Sequence, residues 1–235
     1  MKKLLKKKYK NYQLFFYDEK YQELGKKIVD KDVKIIKEIK VTDRNYVSKI
    51  KYNGGLYILK SPRNEHRKFQ RKVMTLFKRG EALSTLVNTS KLIDKGLDIF
   101  ATPYIAIVKR KNGMIVSSYF VTEYFEEKKK KGYKKEEIQK WLELGKKLHD
   151  KKVYHGDLNP ANIIDTDKGV KLIDSQCKKY YFGEYRSNYD KLTLEYSTYG
   201  TIGKQKWYKI GAWHKLAKLI KTMRNGGEKN VKGIK

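Results

Sequence analysis

The most constraining feature of this chain is a polar run, His155-Gly156-Asp157-Leu158-Asn159-Pro160-Ala161-Asn162, which ends where a short hairpin begins. Apolar periodicity predicts a helix before the run, ending near residue 150. Two short strands are predicted after it, at residues 162–165 and 169–174, around a turn at 166–168. In an antiparallel pair, the start of one strand lies beside the end of the other. Asn162 and Asp174, at those two positions, are therefore predicted to converge.

An amide oxygen and a carboxylate at one point suit Mg²⁺, a hard cation that also takes phosphate oxygens. Asp157 lies five residues before Asn162 in a tight loop, where it can orient a substrate hydroxyl and accept its proton. We interpret His155 as a brace for this loop rather than as a base. The pattern resembles the catalytic loop and metal-binding strand of kinase-fold phosphotransferases, which implies Asp157 as the catalytic residue and Asn162 and Asp174 as metal ligands.

The first third of the chain is typical of strands. A hairpin is predicted from residues 46–52 and 56–60 around a Gly-bearing turn, a helix over 63–92, and a second hairpin from 105–108 and 116–122. The kinase-like resemblance implies that Lys60, at the end of a strand, contacts nucleotide phosphates, and that an acidic residue pairs with it. Glu81 is our choice for that partner and Glu65 is the rival. The backbone of Glu123 and Phe125 is expected to hydrogen-bond adenine.

These elements predict an α+β, two-lobed, protein-kinase-like fold with a small β-rich N-lobe and a shortened helical C-lobe. We assign residues 1–122 to the N-lobe, 123–127 to the inter-lobe hinge and 128–235 to the C-lobe, with a Lys-rich loop expected over 126–135. Near the C-terminus an amphipathic helix is predicted, with Trp213, Leu216, Ala217 and Ile220 on one face. We expect this face to pack into the core, and membrane anchoring is the alternative.

Lysine and arginine total 56 against 26 aspartate and glutamate residues, which gives a formal net charge of +30. Such a charge indicates a polyanionic partner: nucleic acid, anionic lipid or a phosphorylated glycan. The single cysteine, Cys177, excludes an internal disulfide. We predict no signal peptide, and no membrane-spanning helix, because no apolar run approaches the roughly 20 residues required.

Several segments together resemble the bacterial lipopolysaccharide core heptose(II) kinase family, over about residues 12–222. They are Tyr57-Ile58-Leu59-Lys60, Arg63-Asn64-Glu65, Glu123-Tyr124-Phe125-Glu126, Leu148-His149, and the run from His155 through Asn162 with Ile173-Asp174-Ser175. The resemblance implies phosphorylation of a heptose hydroxyl in the lipopolysaccharide inner core, with ATP and Mg²⁺ as cofactors. It also implies a cytoplasmic enzyme, peripherally associated with the anionic inner-membrane surface, and nucleic acid is not an expected partner.

Two alternatives stay open at this point. His-Gly-Asp also occurs in aminoglycoside and choline phosphotransferases, so the chain could act on a small molecule, although its positive charge disfavours a cationic acceptor. A non-catalytic, basic RNA-binding protein would need basic and aromatic residues interleaved on one sheet. The chain also departs from protein kinases: Gly156 stands where they carry an Arg, and Thr42-Asp43-Arg44-Asn45 stands at the turn where they carry a Gly-rich phosphate loop.

Overall fold

The computed structural model describes residues 3–126, 135–167, 169–175, 177–198 and 210–224. The chain divides into two compact units, Met1–Glu126 and Glu127–Lys235, which we call the first and second units. The predicted Lys-rich loop at 126–135 lies almost wholly outside the described residues.

The first unit is built on a seven-stranded, antiparallel sheet with the order β1-β2-β6-β7-β5-β4-β3. Its strands are β1 (Leu5–Tyr9), β2 (Tyr12–Phe16), β3 (Lys34–Val41), β4 (Tyr46–Tyr52), β5 (Gly55–Ser61), β6 (Pro103–Lys111) and β7 (Met114–Glu123). The helices of this unit are α1 (Gln22–Val29), α2 (Arg63–Arg67), α3 (Phe69–Met74) and α4 (Glu81–Ile93).

Both faces of the central strands are buried, because successive side chains of a strand point to opposite faces. One face carries Leu14, Ile105 and Ile107 in a core cluster with α1 residues. The other carries Ala106 and Val108 in a cluster with α4 residues. The sheet is therefore packed between α1 and α4, with β5 and β7 among its interior strands.

The predicted hairpin β4–β5 is confirmed, and its turn explains its register. Asn53 and Gly54 both have positive φ values, 44° and 77°, as a tight hairpin turn requires of its two central residues. Asn112 and Gly113 repeat this pattern at the β6–β7 turn, with φ values of 52° and 76°. Both hairpins could be predicted because their turn chemistry is local.

The helix predicted over 63–92 is interrupted in two places. Lys68 adopts an extended conformation between α2 and α3, and Gly80, with φ 85°, immediately precedes α4. A Cβ at Gly80 would lie 2.2 Å from Cδ1 of Ile115, which is fully buried. The chain turns at Gly80 because only glycine fits this close approach with a left-handed backbone.

The second unit contains α5 (Lys135–Asp150), α6 (Tyr185–Ser197) and α7 (Ala212–Arg224) with two small antiparallel sheets. One sheet pairs β8 (Val153–Tyr154) with β11 (Lys178–Lys179), and the other pairs β9 (Ile163–Thr166) with β10 (Gly169–Leu172). The predicted helix before the polar run is α5, which buries Ile138, Trp141, Leu142, Gly145 and Leu148. The predicted α+β class is confirmed. Among the described residues, no helix is both long enough and apolar enough to cross a membrane.

The prediction for the face of α7 is wrong in part. Ala217 is buried as expected, but Trp213 and Leu216 are 45% and 40% exposed. The helix instead buries His214 and Lys221. Periodicity identified the helix but could not tell which of its sides the protein covers, because that depends on tertiary packing.

Candidate functional site

The loop between β8 and β9 is held in a fixed path by short-range hydrogen bonds. The Asn159 side chain accepts a hydrogen bond of 3.0 Å from the backbone N–H of Ala161, and a single 3₁₀ turn, Pro160–Asn162, leads into β9. Leu158 is fully buried beneath this turn, whereas Asp157 is exposed. The loop thus presents the Asp157 carboxylate to solvent from an anchored backbone.

Asn162 and Asp157 are in direct contact. The Asn162 Nδ2 donates to the main-chain oxygen of Asp157 at 2.8 Å and to its Oδ2 at 3.3 Å. Because the amide nitrogen is used in this way, Oδ1 is the atom that Asn162 can offer to a cation. The contact also fixes the position of the Asp157 carboxylate relative to Asn162.

Asp174 lies beside Asn162, as the hairpin register requires. Ile163 pairs with Leu172, and the N–H of Ile173 donates to the main-chain oxygen of Asn162 at 3.0 Å. Asp174 follows at once with φ 61°, a left-handed conformation that Asp tolerates better than most residues. Its side chain is exposed at the same end of the hairpin as Asn162.

The donor set at this hairpin end fits a cation of the Mg²⁺ type. Mg²⁺ is usually held by one or two carboxylates, with phosphate and water oxygens completing its coordination. The described residues contain no cluster of three His, Cys, Asp or Glu side chains that could hold a metal by themselves. A single carboxylate, Asp174, with the amide oxygen of Asn162 matches a metal shared with a phosphate ligand rather than an all-protein site.

His155 braces the backbone of the loop between β8 and β9 from inside. The ring is fully buried; its Nε2 lies 3.0 Å from the oxygen of Ile173, and its Nδ1 accepts from the N–H of Asp157 at 3.3 Å. Burial lowers the pKa of the ring, opposed by the carboxylates of Asp190, Asp157 and Asp174. A neutral ring that donates from Nε2 and accepts at Nδ1 satisfies both contacts, so His155 joins the loop to the residue before Asp174.

Asp190 anchors the same loop and was missed in the sequence. This fully buried α6 carboxylate accepts hydrogen bonds from the N–H of His155 at 2.6 Å and of Gly156 at 2.8 Å. Its Oδ2 also lies 3.2 Å from Nε2 of His149 on α5. A lone Asp in a polar helix gives no local signal of this role, because the role consists of contacts with residues about 35 positions earlier.

A buried lysine from α7 completes the polar interior of this unit. Lys221 is 9% exposed and donates to the Thr193 hydroxyl at 2.8 Å, with the rings of Tyr189 and Tyr196 at 4.7 and 5.3 Å. Burial lowers the pKa of Lys221, and the Asp157 and Asp190 carboxylates act in the opposite direction. The Lys221 amine therefore interacts electrostatically with the carboxylates of Asp157 and Asp190.

In the first unit, the structure places Lys60 on β5 in the centre of the sheet. It pairs with Val47 of β4 on one side and with Phe120 of β7 on the other, and its Nζ lies 5.8 Å from the Phe120 ring centre. The side chain is only partly exposed. Because β5 is paired with a strand on each side at this residue, the backbone position of Lys60 is fixed although its side chain is flexible.

The two acidic candidates for pairing with Lys60 differ in their surroundings. Glu65 on α2 accepts the backbone N–H of Glu81 with both oxygens, at 2.9 and 3.0 Å, and so caps the first turn of α4. Burial raises the pKa of Glu65, although this hydrogen bond opposes the rise. Glu81 is the first residue of α4, and its side chain is exposed.

The predicted hinge residues begin at the end of β7. Glu123 accepts from the Thr102 hydroxyl at 2.8 Å through its side chain, and its N–H donates to the Thr102 oxygen at 2.8 Å. Tyr124 lies under the Nζ of Lys49 at 3.9 Å, and Phe125 follows without regular structure. The Glu123 side chain therefore has a structural partner, and any contact of this segment with a base would come from its backbone.

Comparison with known proteins identifies the family of this chain and a solved structure with a similar fold. A family model described as "Lipopolysaccharide core biosynthesis protein (WaaY)" matches residues 3–226. The solved structure titled "WaaP in complex with acyl carrier protein" is similar to this chain with a TM-score of 0.54 and 15% sequence identity, covering 90% of this chain and 88% of that one. At this identity the likeness shows the fold alone, which is kinase-like. No curated protein sequence matches the chain.

The family match spans nearly the whole chain, including both the strand that carries Lys60 and the loop that carries Asp157. It confirms the family predicted from the sequence, and the structural likeness confirms the predicted fold class. The chain therefore belongs to the WaaY family of lipopolysaccharide core biosynthesis proteins.

Proposed function

We propose that this protein is an ATP- and Mg²⁺-dependent kinase that phosphorylates a heptose hydroxyl of the lipopolysaccharide inner core. The observation that carries the proposal is the contact of Asp157 with Asn162 beside Asp174, at one hairpin end, in a chain of this family. This arrangement supports phosphoryl transfer, a reaction in which positioning and charge stabilisation supply most of the catalysis.

Four residues of the second unit each have a separate role in the proposed reaction. Asp157 holds the acceptor hydroxyl and takes its proton at the carboxylate, as the oxygen bonds to the γ-phosphorus and the bond to the ADP oxygen breaks. Asn162 and Asp174 would hold Mg²⁺ through oxygen atoms. When bound, Mg·ATP supplies the transferable phosphoryl group. Asp190 keeps the loop backbone in place through its bonds to the N–H groups of His155 and Gly156.

The first unit is proposed to bind the nucleotide. Lys60 contacts its phosphates, and Glu81 orients Lys60, since the rival Glu65 is engaged at the start of α4. The backbone of Glu123 and Phe125 hydrogen-bonds the adenine. These roles follow from the kinase-like fold and from the position of each residue on its element.

The charge of the chain supports an anionic glycolipid as acceptor. A net charge of +30 suits a core glycan that carries phosphate groups and lies on a membrane with anionic lipids. The same charge disfavours cationic acceptors such as aminoglycosides. We propose a cytoplasmic enzyme, peripherally associated with the inner membrane.

The function is tested by offering several acceptors to the full chain with γ-labelled ATP. Lipopolysaccharide core, a neutral sugar, an aminoglycoside and RNA are incubated with the protein, with and without Mg²⁺. Label in the core glycan alone, dependent on Mg²⁺, is the expected result. Label only in the aminoglycoside would replace the proposal with a small-molecule phosphotransferase, and RNA retention without any transfer would refute an enzymatic role.

A further inference from the structure

Helix α7 exposes its apolar side. Leu219 is 54% exposed and Met223 is 71% exposed, and Trp213 and Leu216 lie on the same side. At about 100° per residue these side chains form one continuous stripe along the helix. The described part of the chain leaves this stripe open to solvent.

The opposite side of α7 is polar and buried, which reverses the usual arrangement of a surface helix. His214 and Lys221 are 4% and 9% exposed, with Ala217 between them. Burying a lysine is unfavourable unless it is compensated, and here Thr193 and two tyrosine rings provide the compensation. Because the polar side of α7 is buried and hydrogen-bonded, its apolar side faces outward.

A neighbouring loop extends the apolar stripe. Tyr181 and Phe182 are 82% and 93% exposed, and a Cβ at the next residue, Gly183, would lie 2.6 Å from the Trp213 ring. The loop therefore packs against Trp213. Its base is fixed, since the hydroxyl of the preceding Tyr180 donates to the backbone of His149 at 3.1 Å. We call the stripe and this loop the α7 surface.

Basic side chains lie next to the residues of the α7 surface along the chain. Lys215 and Lys218 are exposed on the helix itself, and Lys178 and Lys179 are exposed on β11, which leads into the loop. Arg186 is exposed just after it, and the acidic side chains nearby are Glu184 and Glu195, whose Oε2 lies 3.9 Å from Nε2 of the buried His214. A second copy of this chain would bring like charges together, which opposes self-association. Lysines beside exposed aromatic and aliphatic groups favour the headgroup region of an anionic bilayer.

We propose that the α7 surface lies in the interface of an anionic membrane, with Phe182, Trp213 and Leu219 inserted among the lipids. Helix α7 then lies along the membrane plane rather than across it. The inference deepens the proposed peripheral association and rests on that part of the proposed function. It assigns the contact to named residues of the second unit.

The test measures binding of the full chain to sedimented vesicles of phosphatidylglycerol and of phosphatidylcholine. Phe182→Ser and Leu219→Ser are each expected to weaken binding to phosphatidylglycerol about tenfold, from the lost burial of one apolar side chain. The matched control is Phe77→Ser, which removes an aromatic group that is 83% exposed on the first unit. Control binding is expected to stay within about twofold of wild type. Vesicles should also shift the Trp213 emission to the blue, a change absent from Trp213→Phe.

Three results would overturn the proposal. The first is an equal loss of vesicle binding in Phe77→Ser and Phe182→Ser, and the second is equal binding of wild type to both lipids. The third is a dimer in sedimentation that Leu219→Ser dissociates. Transfer of label to delipidated core oligosaccharide separates the two claims. It should be unchanged in Phe182→Ser and Leu219→Ser, because neither residue belongs to the catalytic loop. If wild type binds vesicles as expected but transfers no label, the kinase proposal fails while the membrane surface stands.

Discussion

Removal of the Asp190 carboxylate gives the sharpest test of how the candidate loop is held. This fully buried group accepts the N–H groups of His155 and Gly156 at 2.6 and 2.8 Å. A hydrogen bond to a charged group contributes about 1.5–3 kcal/mol, and a buried donor left without a partner is penalised. Asp190→Ala should therefore lower the free energy of unfolding of the second unit by about 3–6 kcal/mol. Asp190→Asn, which keeps one acceptor oxygen, should lower it by about half as much.

Urea unfolding followed by tryptophan fluorescence measures this loss in the right place. The three tryptophans, Trp141, Trp207 and Trp213, all lie in the second unit. The matched control is Asp165→Ala, on β9, where the carboxylate is partly exposed. A loss for Asp190→Ala below about 1 kcal/mol, or equal to that of the control, would show that the N–H groups of His155 and Gly156 do not depend on Asp190 as their acceptor.

Three further predictions concern His155, Gly80 and Cys177. Burial lowers the folded-state pKa of His155 below its ordinary 6.5. The contribution of the neutral ring to the free energy of unfolding is therefore complete above pH 6.5 and is lost as the pH falls below 6.5. Urea midpoints between about pH 7 and 5 should fall more steeply for wild type than for His155→Gln, and equal slopes would contradict this. Gly80→Ala should lose about 1–3 kcal/mol more than Gly96→Ala in thermal unfolding, because both have positive φ but only Gly80 would clash, with Ile115. Equal losses would exclude the steric cause. Cys177 is 4% exposed, so a thiol reagent should react about 100-fold more slowly with it than in urea, and immediate labelling of the native chain would contradict its burial.

Sequence reasoning succeeded where structure is decided by neighbouring residues. The β4–β5 turn needs left-handed conformations at Asn53 and Gly54, and an Asn-Gly pair predicts such a turn. The approach of Asn162 to Asp174 likewise follows from one short hairpin, whose register can be counted along the chain. Local turn chemistry and strand length were sufficient in both cases.

The features that sequence reasoning missed depend on contacts between distant segments. Nothing near Asp190 distinguishes it from a surface carboxylate, yet it supports the loop from α6. The break at Gly80 is set by the buried Ile115 on a later strand. The side of α7 that is buried is the one on which Lys221 contacts Thr193 of α6, and the apolar pattern of the helix does not reveal that packing.

The proposed phosphoryl transfer depends on Asp157, which receives the proton of the acceptor hydroxyl beside Asn162 and Asp174. The most direct measurement is the turnover rate of labelled phosphate transfer from ATP to lipopolysaccharide core, compared between wild type, Asp157→Asn and the neighbouring Asn159→Ala. We expect Asp157→Asn to lower the rate by about 100-fold or more while Mg·ATP binding is retained, and Asn159→Ala to lower it far less. Equal turnover in wild type and Asp157→Asn would show that the Asp157 carboxylate does not receive the acceptor proton.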